Sequence, residues 1–215
     1  MKKFITYVSL QTGRNLQKIN YESVDNVELK SDRAVRFPIS ILVNTYAEKG
    51  EDVEIICVIE KGNDSSKENE NPLKDEINQI AQEKGFQPSY KEIEVAKDER
   101  AESHLDTFRK LIEIIKDEDE LFACITYGTK PFPILEMMAL NYAYQIRTNI
   151  SVRSVVYGKV NWSRERDEEG RSKIESAYIY EISALFFMTQ IMNSLSERKV
   201  ENPDEIIEKI LKKEA

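Results

Sequence analysis

One histidine and two cysteines in 215 residues leave little material for a metal site. With His104 alone and no Cys/His cluster, a structural zinc site is excluded. Cys57 and Cys124 both sit in apolar, strand-like runs. There they behave as small buried hydrophobes, so no disulfide framework is expected and cytoplasmic residence is. No apolar run approaches the roughly 18 residues that cross a bilayer, so no membrane partner is expected. Nor does MKKFITYVSL read as a signal peptide: its apolar run is short and is followed by Gln-Thr-Gly-Arg-Asn, which suits a first strand. Positive charge is also scarce, with 31 Lys and Arg against 39 Asp and Glu and a net charge of −8. That balance argues against a broad face for double-stranded nucleic acid. A small anionic ligand is still compatible, because a local pocket can be positive on an acidic protein.

What is present is an alternation of apolar strands and amphipathic helices in a chain long enough for one sizeable core. FITYVS at residues 4–9 is strand-like, and VEIICVI at 53–59 and LFACIT at 121–126 have the continuous apolar character of strands buried on both faces. Between them, LQKINYESVDNVELKSD alternates weakly and suits a hairpin or a loop. Val35, Ile39, Leu42, Val43 and Tyr46 fall at helical spacing, which predicts a helix from Asp32 to Ala47 with Asp32 as N-cap. The polar segment KGNDSSKENENP at 61–72 reads as a mobile loop, followed by helix to about Lys84 and a short strand from Tyr90 to Val95.

Leu105, Phe108, Leu111, Ile112 and Ile115 mark another helix, closed by the acidic run Asp117 to Glu120, and Pro131 to Arg147 marks the next. SVRSVVYGKV at 151–160 is strand-like, WSRERDEEGRSK is a hydrophilic excursion, and Ala177 to Ile182 is a last strand. Leu185, Met188, Met192 and Leu195 stripe the following helix, Asn202-Pro203 interrupts it, and Asp204 to Lys213 forms a short terminal helix. There is no internal repeat. This order predicts an α/β fold with a mostly parallel sheet, whose ligands bind beyond the carboxyl ends of the strands.

Two strand ends carry unusual chemistry. After the fourth strand comes TYGTKP. Gly128 permits a positive φ or a close backbone approach to a ligand, Thr129 offers a hydroxyl, Lys130 a point charge, and Pro131 and Pro133 start a helix without losing useful donors. The free N–H groups and dipole of that helix end favour an anion, most plausibly phosphate, and Tyr127 could stack on a base. After the first strand, Ser9, Gln11, Thr12, Gly13, Arg14 and Asn15 form a donor-rich loop, with Arg14 suited to bidentate phosphate contact. If the two strands are neighbours at the switch point, both loops line one crevice.

A plainer account also exists: any α/β protein uses Gly, Thr and Pro at strand-to-helix turns, and a surface lysine there is common. The pattern matches neither GxGxxG nor GxxxxGKS/T, so a dinucleotide cofactor or a P-loop is poorly supported and no cofactor is expected. His104, beside Glu102 and Asp106, reads as a surface residue. The Met137-Met138 pair and the stripe Ile134, Leu135, Met138, Tyr142 and Ile146 are expected to pack against the sheet. Asp117, Asp119, Asp167, Glu168 and Glu169 read as solvated loop carboxylates, and Trp162 as a surface feature of a hydrophilic arm. No catalytic or metal-binding residue is assigned on this basis.

Taken together, these segments resemble a known family. ITYGTKPFPILEMMALNY resembles the strand-loop-helix segment of CARF (CRISPR-associated Rossmann fold) domains, and FITYVSLQTGRNLQKINY their first strand and ligand loop. SVVYGKV resembles the next strand, with its Tyr-Gly ending, and AYIYEISALFFMTQIMNSL the closing strand and helix. The likeness runs from residue 1 to about residue 198. It implies a Rossmann-like three-layer domain over residues 1–200, with about six strands and helices on both faces, and a short helix or linker over 201–215. It also implies a homodimer that binds a cyclic oligoadenylate, cyclic tetra-adenylate foremost, across its two-fold in type III CRISPR antiviral signalling.

Some CARF domains slowly cut their ring without metal, and Ser9 or Thr12 beside Lys130 would be the residues to position that step here. The departure from the family is the missing effector: no R-x4–6-H ribonuclease motif and no second domain follow. The chain is then either the sensor portion of a longer protein or a stand-alone sensor or ring nuclease. The alternative class is an α/β regulator that binds another nucleotide or a phosphorylated metabolite through the same loops.

Overall fold

The computed structural model describes residues 1–11, 15–29, 32–168 and 170–213. The elements run β1 (Lys2–Tyr7), β2 (Glu22–Ser23), a 3-10 turn (Val27–Leu29), α1 (Ile39–Tyr46), β3 (Asp52–Glu60), α2 (Asp64–Lys84) and β4 (Gln87–Val95). Then come α3 (Ala101–Ile114), β5 (Glu120–Cys124), α4 (Phe132–Ile146), β6 (Ser151–Arg166), β7 (Ser172–Glu181), α5 (Ser183–Glu197) and α6 (Pro203–Lys213). Among the described residues the strands form one seven-stranded sheet in the order β2-β7-β6-β5-β1-β3-β4. All neighbours are parallel except the β6–β7 pair.

The chain winds outward from β1 through β3 to β4, then crosses back to β5 on the other side of β1. That reversal opens a crevice beyond the carboxyl ends of β1 and β5. The two strands are direct neighbours, with Thr6 opposite Cys124, so the loops after them do lie side by side.

Successive strand residues face opposite sides of a sheet. Phe4, Ile55, Cys57 and Phe122 turn to one side, into a buried cluster with Leu42 and Val43 of α1 and Leu73, Ile77 and Ile80 of α2. Phe4 stacks on Phe122 at 4.5 Å, and Tyr46 closes over Phe122 at 5.0 Å. Ile5, Tyr7, Ile56 and Val58 are equally buried on the other side, where Tyr7 meets Phe132 of α4 edge-on at 4.8 Å. Helices therefore cover both faces, which is why these strands are apolar without alternation.

Three expectations are corrected. Most of the segment expected to be a mobile loop at 61–72 is helix: from Asp64 on it forms the first half of α2. Asn63 caps it, its side chain accepting from Ser66 N, and its buried face is polar: Ser66, Asn69 and Glu70 precede Leu73, Ile77 and Ile80 at helical spacing. Apolar periodicity is blind to such a face. Second, helix α1 begins at Ile39 rather than after Asp32, because Val35 is used in an antiparallel bridge to Ile19. Its amino end is closed from α2, where the Glu76 carboxylate accepts from Phe37 N at 3.3 Å and Ser40 Oγ at 2.6 Å. Third, the hydrophilic excursion is mostly sheet: β6 continues to Arg166 and returns as β7 with Ser172 opposite Arg166. The strand beyond the expected six is the two-residue β2.

The chain divides into two compact units, Met1–Ile182 and Ser183–Ala215. The second contains α5 and α6, with Phe186 and Phe187 packed edge-on at 5.3 Å in α5 and Pro203 opening α6. Among the described residues no helix is long and apolar enough to cross a membrane.

Candidate functional site

The loop after β1 is held from α2. Ser9 is fully buried, and its Oγ accepts from Gln11 N at 3.2 Å in a local side-chain turn. Asn69 Nδ2 donates to the Ser9 carbonyl at 2.8 Å and to the Gln11 carbonyl at 2.7 Å. Ser9 is thus a turn former with an enclosed hydroxyl, not a group presented to a ligand. Thr12, Gly13 and Arg14 lie outside the described residues. Gln11 and Asn15, on either side of them, are exposed.

The loop after β5 is tied to β6: Ile125 N donates to Val156 O at 3.0 Å, and Gly158 N to Thr126 Oγ1 at 2.8 Å. Tyr127 turns its ring edge toward Phe37 and donates its hydroxyl to Arg36 O at 2.7 Å. Burial holds that phenol well above its usual range. Tyr127 is therefore anchored as a wall of the site. Gly128 has φ of +107°, and a Cβ there would lie 3.0 Å from the Tyr7 ring and 3.2 Å from Phe132. The positive φ anticipated for this glycine is present, and the place of a side chain is closed by Tyr7 and Phe132.

The amino end of α4 differs from expectation. Phe132 N donates to Thr129 O, while Ile134 N and Leu135 N both donate to Pro131 O. The first-turn donors are consumed by a tight turn built around Pro131 and Pro133. The uncommitted donors sit one step upstream: the N–H groups of Gly128, Thr129 and Lys130 have no acceptor among the described residues. Lys130 is exposed and makes no ion pair among the described residues. Consecutive free amides beside a lysine make a concavity suited to an anion.

Beside this loop is a cavity of 150 Å³. Of the residues anticipated from sequence, Gln11, Asn15 and Tyr127 line it; Ser9, Gly128, Thr129, Lys130 and Pro131 do not. Its other lining residues include Gln17, Tyr21, Thr126 and Gly158, which were not assigned to a site from sequence, and Trp162, which was read as a surface feature. Gly158 is required there, because a Cβ would meet Pro38 Cγ at 2.6 Å and Tyr21 Cε1 at 3.2 Å. The available signal was the placement of a single tryptophan four residues after a strand glycine.

Both thiols are buried, and burial pushes Cys124 up to about 11 and Cys57 up to about 12, which disfavours the reactive thiolate. Glu60, at the end of β3, is 4% exposed and held by Tyr7 OH at 3.3 Å and Asn63 Nδ2 at 2.9 Å. Larger grooves of 610 and 800 Å³ lie along β4 and α3 and at the amino ends of β3 and β4, away from the crevice. In the first of these, lysines alternate with glutamates, so it presents no charge of one sign.

The fold and the crevice define an α/β protein of Rossmann-like layout with an exposed lysine and open backbone donors at its switch point. Compared with protein-family models, and separately with curated proteins, the chain finds no match in either.

Proposed function

We propose that this chain is a CARF-type sensor domain that binds a cyclic oligoadenylate, cyclic tetra-adenylate foremost, across a homodimer. The observation that carries the reading is the Tyr127–Pro131 loop: three uncommitted backbone N–H groups and an exposed lysine at the switch point, next to the loop that follows β1. A phosphodiester needs this combination of charge and close backbone donors. A second observation favours a dimer. Helix α4, which leaves this loop, turns part of the stripe expected to pack on the sheet outward instead, with Ile134 63% and Met138 48% exposed. An apolar stripe beside the site suits a two-fold partner, and a ring with internal two-fold symmetry would then make each contact twice. Type III CRISPR antiviral signalling is the setting in which such rings act.

The test is a thermal-shift series with cyclic tri-, tetra- and hexa-adenylate, joined to sizing by light scattering. A ligand specific for the folded state must raise the melting temperature, and the tetramer ring is expected to do so on a dimer. No shift with any ring would end the reading. A monomer stabilised by ordinary nucleotides or phosphorylated metabolites would establish the alternative regulator.

A further inference from the structure

Helix α2 is built as two unlike halves that meet at Pro72. Proline has no N–H to offer the carbonyl of Glu68, and its ring crowds that carbonyl, so the helical ladder is interrupted there. The residue before a proline also resists helical backbone. After Pro72 the helix buries Leu73, Ile77, Ile80 and Ala81. Before it, residues 64–71 include no apolar side chain, and those buried are Ser66, Asn69 and Glu70. Polar contacts hold this half. Asn63 caps it, Glu60 N donates to Ser66 Oγ at 3.2 Å, and Asn69 donates to the carbonyls of Ser9 and Gln11. Lys67 pairs with Glu70 at 2.9 Å and with Glu92 of β4 at 3.4 Å. A segment with so little apolar burial opens more readily than the core.

We propose that residues 64–71 form a gate hinged at Pro72, which unwinds as a unit, releases the Ser9 and Gln11 carbonyls, and widens the crevice. The place of the gate supports this role. Gln11 is a wall of the 150 Å³ cavity, and its carbonyl is tied to the gate through Asn69. Pockets that take small molecules commonly measure ~300–1,000 Å³. At 150 Å³ the cavity is about half the lower end of that range, so the crevice stands closed. The foot of the gate touches the other loop as well. Its cap, Asn63, and the Tyr7 hydroxyl both donate to the Glu60 carboxylate, and Gly128 lies against the Tyr7 ring. The hinge stands on the geometry of α2 alone; its role in ligand entry rests on the reading that the crevice takes a nucleotide.

Hydrogen exchange of the full chain, followed amide by amide with NMR, tests the hinge without a ligand. Amides 68–71 donate within the gate, whereas amides 77–84 donate to carbonyls beyond Pro72. The first group should exchange at least about tenfold faster than the second. Pro72→Ala restores the missing donor and should slow amides 68–71 by roughly 10- to 100-fold, with the Gln11 amide slowing alongside them. In Asn69→Ala the tie is cut, so adding Pro72→Ala should leave the Gln11 amide unmoved. Equal protection on the two sides of Pro72, or a Gln11 amide that ignores Pro72→Ala in the otherwise native chain, overturns the gate. Cyclic tetra-adenylate is the probe for entry. It should associate roughly tenfold more slowly with Pro72→Ala, because fewer molecules are open. Equal association rates overturn the gate and leave the sensor reading standing. Exchange that follows Pro72 in a chain that binds no ring supports the hinge and removes the cyclic ligand.

Discussion

Asn69 donates to the carbonyl of Ser9 at 2.8 Å across 60 positions of sequence, and the same amide nitrogen reaches Gln11 O. A residue in the polar half of α2 thus sets the course of the loop that leaves the first strand. Asn69→Ala should cost about 1–3 kcal/mol in urea unfolding, because the Ser9 carbonyl is left buried without its donor. Asn69→Asp should cost more, since an acceptor replaces a donor. A loss under ~0.5 kcal/mol, the range of ordinary surface changes, would show that the loop holds itself.

Gly128→Ala should destabilise by about 1–3 kcal/mol from its left-handed backbone alone. The new Cβ would also press on Tyr7, which is 2% exposed and cannot yield easily. Gly170 has φ of +77°, with nothing within 4 Å of the place a Cβ would occupy. Gly170→Ala therefore carries the backbone strain without the contact. Equal losses in the two variants would show that the Tyr7 contact is unimportant.

Glu136 of α4 is fully buried, and neither carboxyl oxygen has a partner among the described residues. Burial raises its carboxyl well above the usual range, so the folded state keeps a proton that the unfolded chain releases near pH 4.5. Stability from this group is full below that pH and falls as pH rises, by about 1.4 kcal/mol per pH unit while the folded form stays protonated. Glu136→Gln removes that slope. Urea unfolding of both proteins at pH 5 and pH 7 should show wild type losing ground to the variant; parallel curves would mean the carboxyl titrates normally.

Lys130→Ala should leave the unfolding midpoint unchanged, since the side chain is exposed and has no ion pair among the described residues. On the sensor reading it removes a charge-assisted contact of about 1.5–3 kcal/mol from each subunit. Ring affinity should then fall at least about a hundredfold. Normal binding by the variant would mean that the Gly-Thr-Lys turn is only a connection.

The buried strands were readable from sequence because VEIICVI and LFACIT have helices on both sides and so contain few polar residues. The first half of α2 was not readable. Its inward face is Ser66, Asn69 and Glu70, and these residues find their partners through tertiary contacts such as Asn69 to Ser9. The start of α1 was misplaced for a related reason, since Val35 sits in phase with the helix but is spent on a bridge to Ile19.

By itself, the sequence determined what depends on neighbours along the chain. That includes the α/β alternation, the glycine that a left-handed turn requires at 128, and the polar loops at two strand ends. Only the tertiary structure decided that β1 and β5 are adjacent, that the open donors belong to Gly128, Thr129 and Lys130 rather than to the helix end, and that Tyr21 and Trp162 enclose a cavity with Gln11. The physical reason is range. Periodicity and turn chemistry are imposed over a few residues, whereas strand order and the fate of each donor depend on which distant segments meet.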